Sequence, residues 1–298
     1  MKHQTYVTLY QAHLGNVNKK ALTKARSEET DPFYHNLIDL LLQEKFIMVP
    51  WNVSTFTNEF RLGTPQERLD ETVIAFILRL AIINKEERYF RAFKKPETYD
   101  AIMVWDMLLN RIILCSMALL YNVRWDERSG FVLLQSTIIQ LLHHGDAYAL
   151  RELMKSLGIS LARDTPYQSE LEFGKLNFLH VGQYGSFYWR YLHWMAEAFT
   201  LRKDKKMDFY KEMWVDIVNE TLYRTLRCGI CMYHFRKMIE ELKPQLTNKE
   251  TDFPKLWYDI HNRVHAQRRE QYPSLNEPDY SESEFEEDRK FMRRALVP

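Results

Sequence analysis

The residues able to do chemistry in this 298-residue chain gather in its C-terminal third. Cys228-Gly229-Ile230-Cys231 places two thiols at Cys-x-x-Cys spacing directly ahead of the helical pattern Met232–Leu242. Two cysteines so spaced can close into a small disulfide, and a helix N-terminus stabilises a thiolate there. Those are the requirements of a redox disulfide that opens and closes during turnover. A thioredoxin-like setting would need a strand ahead of the pair, whereas Met207–Leu226 reads as helix. A second stretch, Gly185-Ser186-Phe187-Tyr188-Trp189-Arg190-Tyr191-Leu192-His193, opens another helix, with Trp189 and His193 four residues apart on one face. In a third, Trp257, His261, Val264 and Arg268 follow the i, i+4, i+7, i+11 rhythm of one helical stripe. Three helices thus each offer an aromatic or imidazole stripe that could converge on one planar ligand.

Zinc competes for the same residues. Cys228, Cys231, His261 and His265 spell a Cys-x2-Cys followed by a His-x3-His, ligand types that suit tetrahedral zinc. The gap between the pairs exceeds the roughly 12–15 residues of a compact finger. A zinc-stabilised helical interaction module therefore stands as the alternative reading, with His234 as a further available ligand.

Together the three stretches resemble the Erv/ALR flavin-dependent sulfhydryl oxidases, whose pattern is Gly-x3-Trp-x3-His, then Cys-x-x-Cys, then His-Asn-x-Val-Asn. Here these read Gly185, Trp189 and His193; Cys228 and Cys231, followed by Tyr233-His234-Phe235; and His261-Asn262-Arg263-Val264-His265. A helical region ahead of such a domain, without shuttle cysteines, looks most like the baculovirus-type viral oxidases. The resemblance implies an all-α protein with a C-terminal four-helix bundle that holds FAD. It puts Cys231 beside the flavin and Cys228 on the substrate-facing side. Gly185, Trp189, His193, His234, Trp257, His261, Asn262, Val264, His265 and Arg268 would form the cofactor's surroundings, with no metal. Thiol-bearing proteins would be substrates, molecular oxygen the acceptor and hydrogen peroxide the product, with a homodimer as the working form. The chain departs from the pattern in three ways. His265 replaces the second Asn, Glu270-Gln271 stands where Lys-Pro is expected, and no second cysteine pair exists to relay electrons. Arg263, Arg268 or Arg269 would then meet the pyrophosphate, since guanidinium suits phosphate.

The elements that must position these groups read as helices throughout. Nine Gly, ten Pro and 14% aromatic residues favour helices over sheet. Helical spacing runs over Pro32–Lys45, Gln66–Asn84, Tyr99–Tyr121, Gly130–His144 and Ala147–Leu157, the last closed by Gly158. Beyond the polar stretch Ser160–Lys175 come Gly185–Leu201, Met207–Leu226, Cys228–Leu242 and Pro254–Gln271. This divides the chain into an N-terminal helical domain over 1–165 without a catalytic constellation, of a kind that can be a degenerate copy of the bundle. A catalytic domain follows over 166–273, and a charged tail over 274–298 is expected to be a solvated, flexible end. His143-His144 point about 100° apart on a helix, a poor metal pair. Cys115, alone in an apolar helix, reads as a buried, inert thiol.

Composition excludes several classes. Three cysteines cannot staple a secreted disulfide scaffold. Lys+Arg 41 against Asp+Glu 40 leaves no basic excess for nucleic acid. Thr72–Ile83 and Ile112–Tyr121 fall short of the roughly 18 apolar residues that span a bilayer. Met1–Leu22 lacks a signal-peptide pattern, so synthesis in the cytosol is expected, and for a viral protein residence in host cytoplasm, nucleus or virion.

Overall fold

The structure, a computed structural model, describes residues 8, 18–30, 35, 38, 39, 42, 61, 63–92, 99–125, 127–144, 147–164, 181–226, 229–248, 250–271 and 278–297. Among these residues the regular elements are helices. In chain order they are α1 (Lys19–Glu28), α2 (Pro65–Ala92), α3 (Tyr99–Cys115), α4 (Glu127–His144), α5 (Tyr148–Ser156), α6 (Val181–Leu201), α7 (Lys205–Glu220), α8 (Gly229–Thr247), α9 (Phe253–Gln271) and α10 (Glu282–Leu296). The helix expected over 32–45 lies largely outside the described residues. His35, Ile38, Asp39 and Leu42, which are described, are helical.

Local chemistry sets the helix ends. Gly63 turns the chain with φ of +82°, a left-handed conformation that glycine adopts without a Cβ penalty. Thr64 and Glu67 then exchange capping bonds: the Thr64 amide donates to Glu67 Oε2 at 2.9 Å, and the Glu67 amide donates to Thr64 Oγ1 at 3.2 Å. Pro65 fills the first helical position, where its missing N–H costs nothing. Gly158 ends α5 at φ +76°, as its place after the apolar pattern predicts. The helix expected over Tyr99–Tyr121 widens after Cys115 into a π-helical turn over Ser116–Leu120. There Ser116 Oγ donates back to the Ile112 carbonyl at 2.7 Å and meets Tyr191 Oη at 2.6 Å. Such back-bonding competes with the regular ladder. Cys115 is fully buried, its thiol donates to the Tyr210 carbonyl at 3.4 Å, and burial pushes its pKa up, keeping it protonated.

Helix α2 sits at the centre. Its residues from Thr72 to Ala81 are buried without interruption, so it is enclosed on all sides rather than along one stripe. It packs against α3, α4, α6 and α10. One apolar core therefore runs across residue 165, joining Val73, Phe76, Ile77 and Ile112 to Tyr191, Trp194 and Trp214. The Phe76 and Tyr191 rings stack at 3.8 Å. Toward the C-terminus the helices α6 to α9 form a bundle, with α6 on α9 and α7 on α8.

The charged C-terminal run corrects the sequence reading. Far from being a solvated end, 282–296 is helix α10, docked on α2 and α6. Phe285, Asp288, Phe291, Met292 and Leu296 form its buried face. Ser281 and Glu284 make a full capping box, and Tyr280 before the cap packs on Phe285 one turn in, a hydrophobic staple. The acidic start and basic finish of the run, read as a solvated polyampholyte, instead complement the helix dipole. Glu197 of α6, fully buried, receives Arg289 Nε at 3.0 Å and also Arg293.

Candidate functional site

Helices α6 and α9 build the site by presenting their stripes to each other. Trp189 of α6 stacks on His261 of α9 with centroids 4.1 Å apart and planes within 13°. His193, one turn beyond Trp189, meets the same imidazole by an Nε2···Nδ1 hydrogen bond of 3.1 Å. One ring must donate and the other accept, so the pair shares its protons as neutral imidazoles. Burial holds both that way. It pushes His193 down to about 3, and it takes His261 well below its usual value, with the charges of His265, His193 and Arg268 adding to the effect. His265 sits edge-on to His261, centroids 4.5 Å apart.

Tyr280 closes the cluster. Its ring lies 5.6 Å from His193 and 5.4 Å from His261. A two-point clasp holds it: Asn262 Nδ2 donates to the Tyr280 carbonyl and the Tyr280 amide donates to Asn262 Oδ1, both at 2.8 Å. His265 Nδ1 donates to the Pro278 carbonyl at 3.1 Å, pinning the same segment. The Tyr280 hydroxyl donates to Asp288 Oδ2 at 2.5 Å. Sequence reasoning missed Tyr280. The signal lay in Ser281-Glu282-Ser283-Glu284, a capping-box pattern that makes the preceding aromatic a staple residue rather than part of a loop.

The structure thus brings together Trp189, His193, His261 and His265. The other expected residues make contacts of their own around it. Asn262, expected on the cofactor, points both ends of its carboxamide at the Tyr280 backbone. Trp257 is fully buried and stacked on Phe235 at 6.4 Å. Val264 packs against the core. His234 lies half-buried beside Tyr233, its pKa lowered by burial and by Lys237. Gly185 stands in α6 one turn before Trp189. Arg263 pairs with Glu241 at 2.5 Å and Arg269 with Asp279 at 2.7 Å.

Cys231 lies in the first turn of α8, half-buried and disulfide-bonded. Cys228 lies outside the described residues. One turn after Cys231, Phe235 touches Tyr188 of α6 edge-on at 6.1 Å as well as Trp257 of α9. The disulfide therefore heads a helix whose Phe235 ring reaches a ring on each stripe-bearing helix. Among the described residues no three His, Cys, Asp or Glu gather as a metal-ligand set. A cysteine held in a disulfide cannot serve zinc as a thiolate, and His261 is turned toward His193.

The donor set suits a planar cofactor such as FAD. Trp189 and Tyr280 offer aromatic faces, and the neutral imidazole pair spends one N–H and one ring nitrogen on its own hydrogen bond. The Trp257 Nε1–H, buried without a hydrogen-bond partner one turn from His261, is a donor of the kind that a bound polar group satisfies. No helix among the described residues is long and apolar enough to cross a membrane. No curated protein and no solved structure matches the chain. The model of the Erv1 / Alr family matches residues 186–288, about a third of the chain, which takes in both stripes, the Cys-x-x-Cys and the first half of α10; this segment is similar to the FAD-linked sulfhydryl oxidases.

Proposed function

We propose that the protein is an FAD-dependent sulfhydryl oxidase that forms disulfides in substrate proteins. The carrying observation is the convergence of Trp189, His193 and His261 from α6 and α9 beside the helix headed by the Cys231 disulfide. We assign Cys228 as the partner of Cys231. A substrate thiolate attacks the Cys228 sulfur, breaking its bond to Cys231, which leaves as a thiolate stabilised by the N-terminus of α8. A second substrate thiol, losing its proton, displaces Cys228, so the substrate becomes a disulfide and the enzyme a dithiol. Bound FAD would accept the two electrons from that dithiol and hand them to molecular oxygen, giving hydrogen peroxide.

The rest is the work of the chain. Trp189, His193, His261 and Tyr280 present a dry aromatic and imidazole wall, and Arg268 supplies positive charge for a phosphate. The buried, neutral histidine pair adds no cationic charge to that wall. With three cysteines in the chain and Cys115 buried, no shuttle pair is available, so substrate proteins reach the Cys228 side directly. A homodimer and a viral-type relationship belong to the same proposal.

Purified protein tests it. The expected sample is yellow, consumes dithiol and oxygen, and releases peroxide in equal amount. Cys231→Ala should keep the flavin band and lose turnover by at least roughly 1000-fold, as expected for removing a covalent catalyst. A colourless sample, or a C231A protein with full oxidase activity, would overturn the assignment.

A further inference from the structure

Arg61 stands just ahead of the Gly63 turn that opens α2, far in sequence from the candidate site, yet its side chain reaches α10. Its Nε lies 3.1 Å from Asp288 Oδ1, and it also pairs with Glu287. Asp288 is almost wholly buried, its side chain 1% exposed. One oxygen takes the Tyr280 hydroxyl; the other makes no hydrogen bond, so the attraction of Arg61 is what offsets its charge. Tyr280 in turn is the ring set against His193 and His261, its backbone held by Asn262. Arg61, Asp288, Tyr280 and the histidine pair thus form one continuous chain of contacts from the N-terminal region to the site.

We infer that Arg61 is a positioning residue for the candidate redox site: by compensating the buried Asp288 carboxylate it keeps Tyr280 and the start of α10 seated against His193 and His261. The inference rests on the oxidase reading for its functional meaning, but its physical content is independent of any cofactor. An ionised carboxylate stripped of its paired cation in a dry place is strongly destabilising, whereas the protonated acid is not. The groups facing Asp288 are Tyr280, Arg61, Glu284 and Glu287, with the histidine pair behind Tyr280. Burial raises its pKa to about 6, Tyr280 and Arg61 hold it down, and the two glutamates add to the rise. The sign follows. Docking of α10 favours the protonated carboxyl, so its stability is fully present at low pH and declines as pH rises through about 6; Arg61 limits that decline.

Hydrogen–deuterium exchange of 278–296, corrected for the intrinsic pH dependence of exchange, tests this in the full chain. Arg61→Met should speed exchange there roughly tenfold or more at pH 8, the equivalent of about one pKa unit, and change little at pH 5. Arg61→Lys should restore most of the protection. Asp288→Asn, which keeps an acceptor for Tyr280 without the charge, should give a flat pH profile and abolish the R61M defect in the double variant. Thiol oxidation should follow the same profile, with R61M slowed at pH 8 and close to wild type at pH 5. A defect in R61M that is independent of pH, or that survives in the D288N background, overturns the inference. Protein without oxidase activity whose exchange still follows this pattern refutes the oxidase reading and leaves the role of Arg61 in seating Tyr280 standing.

Discussion

Replacing His193 by Phe should flatten the acid limb of the stability curve, and the structure sets by how much. His193 is 2% exposed and pushed down to about 3, against 6.5 for an unfolded histidine. A group with a depressed folded pKa contributes stability that is present above the unfolded value and lost as pH falls toward the folded one. Between pH 7 and pH 5 the unfolded chain gains most of a proton at this position and the folded chain gains none. The loss is about 2 kcal/mol for His193 alone. His261 acts with the same sign, and Asp288, with its raised pKa, acts with the opposite sign as pH falls through about 6.

The Asp288 contribution remains when His193 becomes Phe and cancels from the comparison; His261 stays depressed by its burial, the largest cause of its shift, so its sign is kept. Wild type should lose about 2 kcal/mol more than H193F between pH 7 and pH 5. With a urea m-value near 3 kcal/mol/M, that is a difference of roughly 0.6 M in the shift of the unfolding midpoint. Far-UV circular dichroism at constant ionic strength reads it directly. The absolute stability of H193F at pH 7 is irrelevant to the test, since only the pH dependence is compared. Equal losses in the two proteins, within about 0.5 kcal/mol, would show that His193 is not held neutral by burial and that the histidine pair is wetter than the structure places it.

Two further outcomes test the frame around the site. Glu197→Ala removes a buried carboxylate from between Arg289 and Arg293; because Arg293 is half-exposed and can turn to water, the cost should be about 3 kcal/mol rather than the upper end for buried pairs. For a chain this size that lowers Tm by roughly 5 °C, and a shift under about 1 °C would mean that α10 is docked by its apolar face alone. Residues 181–298 expressed alone should fail to unfold cooperatively, because α6 and α10 would lose α2; a sharp thermal transition in that fragment would refute the shared core.

Helix type and the stripes were legible in the sequence because both follow from a 3.6-residue period, and Trp189/His193 and His261/His265 need only one helix each to be read. Their direct contact was not read from the sequence, which pointed the stripes at a shared planar ligand rather than at each other. What was hidden is tertiary. Asn262 was expected at the cofactor through the Erv/ALR resemblance; the structure closes its carboxamide on the Tyr280 backbone, a partner that nothing within the helix announces. Trp257 shares a stripe with His261, yet an indole of that size is drawn to Phe235 in the core. The C-terminal run was read by net charge, which hid an apolar face at i, i+3 and i+7, Phe285, Asp288 and Met292, with a charged residue in the middle.

That buried Asp288 adds to the shared apolar core a second way in which the two regions of the chain depend on each other. An apolar residue there would dock α10 without help, and Arg61 would have no task. A carboxylate makes docking conditional on a cation from the N-terminal region and on a tyrosine hydroxyl from the site. Glu197 repeats the device in reverse, with the carboxylate on α6 and the cations on α10. Buried ion pairs of this kind add little net stability compared with apolar packing, but they penalise any arrangement in which a partner is missing. The site is therefore specified by register: α10 has one seating in which both buried carboxylates meet their guanidiniums, and that seating is the one that sets Tyr280 against His193 and His261.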